Sequence, residues 1–112
     1  MKVINRIKKS DDFVVTIRRG RAHRNNSFVV HIIQNHLNNT RVGISVSSKI
    51  GNAVVRNRIK RQVRAMCDSL IDYTAQTLDI VIVVKKPFLD NNFQENKNTL
   101  NSLLNLEIGN TK

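Results

Sequence analysis

The segment from Val42 to Arg64, VGISVSSKIGNAVVRNRIKRQVR, joins a strand-like run to a helix-like run through a short loop, and few arrangements accommodate both. From Arg41 to Ser47 the pattern has period two, with Val42, Ile44 and Val46 on one face and Arg41, Gly43, Ser45 and Ser47 on the other. From Val55 the period changes: Val55, Ile59, Val63, Met66 and Leu70 follow the spacing of a single helical face. These five fill an arc roughly 80° wide at about 100° per residue, with Arg56, Lys60 and Arg64 on a neighbouring arc and Arg61 and then Arg58 further round. A fold containing this segment must bury one side of the strand and one stripe of the helix, and leave five cations of that helix outside.

Those cations are unusual as a solvated face. Exposed helices ordinarily mix signs, because Glu to Lys pairs four residues apart stabilise a helix and like charges at that spacing cost a few tenths of a kcal/mol. Arg56, Lys60 and Arg64 form a like-charge ladder with no acid among their neighbours, so the neutralising charge is expected from outside the chain, with a polyphosphate backbone the first candidate. The distribution of charge agrees. The chain has 112 residues and a formal charge of +11; residues 1–64 carry 15 Lys and Arg against Asp11 and Asp12, whereas residues 65–112 carry 4 against 6 acids. The first half is therefore expected to build the partner surface and the second half to support it.

A chain of 112 residues with 40% hydrophobic content suits one compact domain, read here as a single RNA-binding domain over 1–112 with a basic, extended lead-in at residues 1–9. Ser10 stands where an N-cap belongs, Asp11 and Asp12 complement a helix start, and Arg18-Arg19-Gly20 suit its end. The β-branched run Val14 to Ile17 favours a strand, but the end signals decide for a helix with Phe13 and Ile17 one turn apart on one face. Residues 21–24 read as a short edge strand, Asn25-Asn26 as a turn, residues 27–34 as a strand and residues 35–40 as a polar reversal. The strand at 41–47 then completes an antiparallel hairpin with it. After the basic helix, ended near Tyr73 or Thr74, residues 79–84 (DIVIVV) are apolar on both faces, the mark of a central strand, stopped by Lys85-Lys86-Pro87. Asn92 caps a last helix with apolar residues Phe93, Leu100, Leu103 and Leu104, ended by Gly109.

Several kinds of chemistry find no support. A single cysteine, Cys67, excludes an internal disulfide and a Cys-based zinc site, and reads as a small core residue of a protein from a reducing compartment. No hydrophobic signal core or run of 18 apolar residues occurs, which predicts a cytoplasmic protein. Asp11-Asp12 and Asp68-Asp72 explain themselves as helix-end charges, and His23, His31 and His36 have no ligand-like spacing, so neither a catalytic carboxylate set nor a protein-borne metal site is expected. Lys49-Ile50-Gly51-Asn52 lacks the glycine spacing of a phosphate-binding loop. Its Gly and Asn suit a sharp turn with φ > 0, and the helix start that follows offers free amides to a phosphate.

The segment RVGISVSSKIGNAVVRNRIKRQVR, with its Lys49 to Asn52 turn and Arg56-Asn57-Arg58 core, resembles the bacterial ribonuclease P protein subunit. Weaker similarity runs from the Lys8-Lys9 and Asp12-Phe13 region to Lys85-Lys86-Pro87. The resemblance implies an α+β fold with element order α-β-β-β-α-β-α, like that of ribosomal protein S5 domain 2, including the left-handed crossover known in such proteins. It implies a protein subunit that promotes removal of the 5′ leader from precursor tRNA, with the ribonuclease P RNA as partner. That RNA, not the protein, is expected to hold Mg²⁺ and perform the hydrolysis, so no catalytic residue falls on this chain. Docking on the RNA is expected from Lys49, Asn52, Arg56, Asn57, Arg58, Lys60, Arg61 and Arg64. The leader is expected in a cleft floored by Phe13, Ile17 and His31, with Arg6, Lys8 and Lys9 at its mouth. Two departures bear on this. Ser48 stands where relatives commonly carry a second basic residue, and Ile17 and His31 stand at positions that are often aromatic.

Two other readings share the composition. A ribosomal-type RNA-binding module without a catalytic partner fits the charge equally well. An interfacial membrane binder wants bulky aromatic or Leu residues on the apolar arc, and Val55, Ile59 and Val63 suit packing on a sheet instead. Neither a membrane nor an obligate protein partner is inferred.

Overall fold

The structure is a computed structural model, described here for residues 1–107. Its helices and strands are α1 (Ser10–Arg19), β1 (Arg21–Arg24), β2 (Phe28–Gln34), β3 (Arg41–Val46), α2 (Ala53–Leu70), β4 (Leu78–Val84) and α3 (Phe93–Leu104), with 3-10 turns at Val3–Asn5 and Lys86–Asp90. The expected α-β-β-β-α-β-α order of a single α+β domain holds. The placement of Gly109 as a helix end lies outside the described residues, and α3 closes at Leu104.

The four strands lie in the order β1-β2-β4-β3. β1 and β2 form an antiparallel hairpin, β2 pairs antiparallel with β4, and β3 pairs parallel with β4. The expected β2-β3 hairpin is therefore not formed, because β4 is inserted between the two. The reason is visible in β4, which is buried on both faces over Ile80, Val81 and Ile82 and demands a neighbour on each edge. The polar reversal is built to pass over it: Asn35 N donates to Thr77 O at 2.9 Å, and Thr40 Oγ1 donates to Gln76 O at 2.8 Å while accepting from Leu78 N at 3.2 Å.

One sheet face carries Phe28, Val30, Ile32, Val42, Ile80, Ile82 and Val84, which pack with Ile59, Val63, Met66 and Cys67 of α2 and Leu100, Leu103 and Leu104 of α3. α2 ends at Leu70, earlier than expected, because the buried Ile71 turns extended as the C-cap. α3 opens with a reciprocal capping box between Asn92 and Glu95. Its expected apolar Phe93 is exposed, and Asn96 takes the buried place, donating to Phe88 O at 3.0 Å. The ring of Phe88 meets Phe28 edge to face at 5.7 Å.

α1 lies on the opposite face and covers only part of it. Its first helical residue is Ser10, so Ser10 is not the cap: Lys9 holds that position with no side-chain bond. The β-branched run is accommodated because Thr16, buried, donates its hydroxyl to Asp12 O at 2.8 Å. The lead-in is not simply extended; after its 3-10 turn it docks along β3, with Ile7 N donating to Val42 O at 3.0 Å and Asn5 Nδ2 donating to Thr40 O at 3.1 Å.

Gly20 follows α1 with an ordinary φ of −72°, so it does not serve as a left-handed cap. It serves as space: a Cβ there would sit 2.5 Å from Thr16 O and 3.0 Å from Ile32 O, both backbone. Gly20→Ala is expected to lift the end of α1 off β2 and to cost about 1 to 3 kcal/mol, the usual range for overpacking, read from the urea midpoint at unchanged m-value.

Candidate nucleic-acid interface

The start of α2 is an anion-accepting end. Asn52 Oδ1 accepts from Val55 N at 3.0 Å as N-cap, which commits that oxygen to the helix start. The first turn holds no acid, whereas α1 begins with Asp11 and Asp12. The positive end of the α2 dipole is thus uncompensated, and the exposed Lys49 lies in the turn before it. Among the described residues no glycine has positive φ. Gly51, expected to turn the chain that way, instead clears room for Val55, whose Cβ would lie 2.9 Å from an added Cβ.

Along α2 the buried stripe is Ile59, Val63, Met66 and Cys67. Arg56, Lys60 and Arg64 run half-buried along one flank, and Asn57, Arg58 and Arg61 are exposed. Arg58 and Gln62 form the other flank, beside a small groove with Phe88, Leu89 and Asn91. Among the described residues none of Lys49, Arg56, Arg58, Lys60, Arg61 or Arg64 enters an ion pair, and Arg56 Nε is buried without a hydrogen-bond partner. The acids are engaged elsewhere. Asp79 takes Arg41 at 2.6 and 3.0 Å and Asn35 at 2.8 Å, Asp12 takes the same guanidinium at 3.4 Å, and Glu107 takes Arg21 and His23 at 2.7 and 2.9 Å. The hydrogen bonds that Arg41 donates to Asp79 hold the Arg41 pKa above its ordinary value. The Arg41 and Asp79 pair is a feature the one-dimensional pattern did not reveal. The two residues are 38 apart in the chain and meet only because the parallel register sets them side by side.

α1 runs over the other face from Gly43 of β3, where Phe13 sits, to Ile32 of β2, where Gly20 makes its close approach. It crosses the row His31, Val81, Gly43 and divides the face in two. One half, with Val29, Val83 and Ser45 in register and Arg24 beside them, is left half-exposed. Phe13 and the exposed Ile17 lie on the flank of α1 away from Asp12 and Val15. His31 is half-buried with Nδ1 unpartnered; burial, and then the charge of Arg24, push its pKa below the ordinary 6.5, so its ring is neutral at pH 7. Of the predicted set, Phe13 and Ile17 thus share one flank of α1, and His31 lies in the strand row that α1 crosses. Arg6, Lys8 and Lys9 line a groove on the Asp12 and Val15 side of α1, and Lys9 O accepts from Phe13 N at 3.3 Å at the start of the helix.

Among the described residues no group of three or more His, Cys, Asp or Glu is placed to hold a metal ion. Burial pushes the Cys67 thiol up to about 12, which removes it as a nucleophile. No described helix is long and apolar enough to cross a membrane.

An added Cβ at Gly43 would lie 2.4 Å from the tip of the Phe13 ring. Gly43→Ala is therefore expected to destabilise the fold by about 1 to 2 kcal/mol by displacing that ring. In the Phe13→Ala background the cost should largely vanish, a coupling that a double-mutant cycle in urea measures directly.

The Ribonuclease P family matches residues 1–106. The ribonuclease P protein component of Bacillus cereus strain B4264 is 45% identical over 101 residues, covering 89% of this chain and 88% of that one. The Staphylococcus aureus RNase P protein superposes with a TM-score of 0.81 at 35% identity, covering 93% of this chain and 95% of that one. The Thermotoga maritima RNase P protein superposes at 0.74 and 30% identity, covering 88% and 94%. A match that runs from the lead-in through α3, in sequence and in backbone alike, means that this chain belongs to the bacterial ribonuclease P protein family, the protein subunit of a ribonucleoprotein endoribonuclease.

Proposed function

We propose that α2 and the Lys49 turn dock this chain on the ribonuclease P RNA, and that the open half of the sheet beside Phe13 holds the 5′ leader of precursor tRNA during 5′ maturation. The observation that carries the docking is the row of α2 cations that enter no ion pair among the described residues. Six cations held on one helix and its entry turn repel one another, and a phosphate backbone relieves that cost while releasing its own counter-ions. Guanidinium groups suit the task because they bind phosphate bidentately and stack on bases. Arg56, Lys60 and Arg64 would follow a backbone along one flank, Asn57 and Arg61 at the crest and Arg58 on the other flank. Asn52 would contribute by fixing the helix start, whose free amides donate to a phosphate.

On this reading the RNA holds Mg²⁺ and supplies the hydrolytic chemistry, and the protein supplies binding and orientation. The scatter of the carboxylates supports that division, since Asp12, Asp79 and Glu107 are each tied to a cation. For the leader, the neutral His31 offers a ring face or a hydrogen bond rather than a charge, Phe13 offers a stacking edge, and Ile17 offers apolar contact.

If about 5 to 7 phosphates are neutralised, log affinity for the RNA falls with log salt at a slope of about −4 to −6. Arg58→Ala and Arg61→Ala should each flatten that slope by about 1. An unchanged slope in both would move the docking surface elsewhere, and cleavage of precursor tRNA by the RNA-free protein would overturn the division of labour.

Phe13→Ala should weaken the assembled complex for precursor tRNA by about 1 to 3 kcal/mol, the worth of a stacking contact, and leave mature tRNA binding unchanged. Equal losses for both would assign Phe13 to packing alone.

A further inference from the structure

A groove of about 750 Å³ lies across α1 from the open half of the sheet, bounded by the lead-in, α1 and residues 33–39. That volume falls within the usual range of about 300 to 1,000 Å³ for small-ligand sites. Its walls leave apolar surface open to solvent: Val3 is 56% exposed, Ile4 66%, Val15 45% and Leu37 46%. Its rim is cationic. Lys8 and Lys9 are exposed and outside every ion pair among the described residues, and Arg6 keeps a buried Nε without a partner. The two acids at its floor, Asp12 and Asp79, share the Arg41 guanidinium, and the cations Arg6, Lys8 and Lys9 outweigh the one negative charge left over. Gln34 and Asn38 are exposed polar amides on the same wall.

Apolar walls, polar amides and unpaired cations in one groove match a group that is flat and apolar on its faces, polar on its edge and anionic at its tether. The geometry points to a binding site for one unpaired nucleotide of the 5′ leader, upstream of the stretch held beside Phe13. The inference rests on the leader reading above. The strand, not the RNA subunit, is the occupant because the groove and the open half belong to the same sheet face, divided only by α1. Arg41 and Ser45, which mark the two halves on β3, are four residues apart, about 13 Å along a strand. Lys8 and Lys9 precede the N-terminal end of α1, around which a single strand passes from one half to the other.

The test compares precursor tRNAs with leaders of about 4 and about 12 nucleotides, spanning the site sizes of single-strand binders, bound to the holoenzyme. Ile4→Ser with Leu37→Ser replaces two exposed side chains and should leave the melting temperature unchanged. The double variant is expected to lose about tenfold in affinity for the long leader, equivalent to about 1.4 kcal/mol, and nothing for the short one. A photo-crosslinker at Asn38 should label a leader nucleotide upstream of the one labelled from position 13. Equal losses for both leaders, no loss for either, or a crosslink only to the RNA subunit overturns the inference. Docking on the RNA subunit, measured in the same titration with Arg58→Ala, reports separately on the docking reading. The Phe13→Ala comparison of precursor and mature tRNA reports on the leader reading itself.

Discussion

The parallel pairing of β3 with β4 is the constraint on which the rest of the molecule depends. Two parallel neighbours cannot be joined by a tight turn, so the chain between them must cross over, and here the crossover is α2. That requirement presses the stripe of Ile59, Val63, Met66 and Cys67 against the sheet. With one side fixed by burial, the cations of α2 have nowhere to go but the flanks and the crest. The helix therefore presents its charge in a defined orientation although no acid among the described residues pairs with it.

The same pairing organises the opposite face. Parallel register places Arg41 beside Asp79, and the guanidinium then reaches Asp12 of α1 as well. An ion pair of this kind is weak evidence for stability, because desolvation offsets much of the attraction. Its geometric consequence is clearer, since it ties the edge strand, the central strand and the first helix at one end of the face. At Gly43 the absence of a side chain lets Phe13 settle onto β3. With an ion pair at one place and a missing Cβ at the other, α1 lies across the strands and leaves a surface on each side.

The division of charge between the two halves of the chain has the same physical logic. Burial in the core is supplied largely by β2, β4, α2 and α3, and nearly all acids are spent on internal partners or helix caps. The lead-in, α1 and the crest of α2 contribute little to that core, and Lys8, Lys9, Arg58 and Arg61 enter no ion pair among the described residues. Stability and binding thus draw on different parts of the surface, so substitutions at Arg58 or Lys8 touch few packed atoms.

Much of this was legible in one dimension. Period two at 41–47, the helical stripe from Val55 and the doubly apolar run at 79–84 name their elements, because each is a local consequence of which face is buried. The like-charge ladder announced an external polyanion, because like charges at helical spacing repel whatever the fold. Strand partnership was not legible: β2 and β3 each show a buried face, but nothing in either says that β4 will enter between them. Nor were the meeting of Arg41 with Asp79, the role of Gly43 beneath Phe13, or the gathering of Arg6, Lys8 and Lys9 with Asp12 and Val15 around one groove. Residue patterns determined which elements form, which sides they bury and where charge accumulates, since those depend on neighbours along the chain. Only the tertiary structure decided which side chains share a cleft, because that depends on register between strands far apart in sequence and on the few places where a missing Cβ lets two backbones or a ring approach.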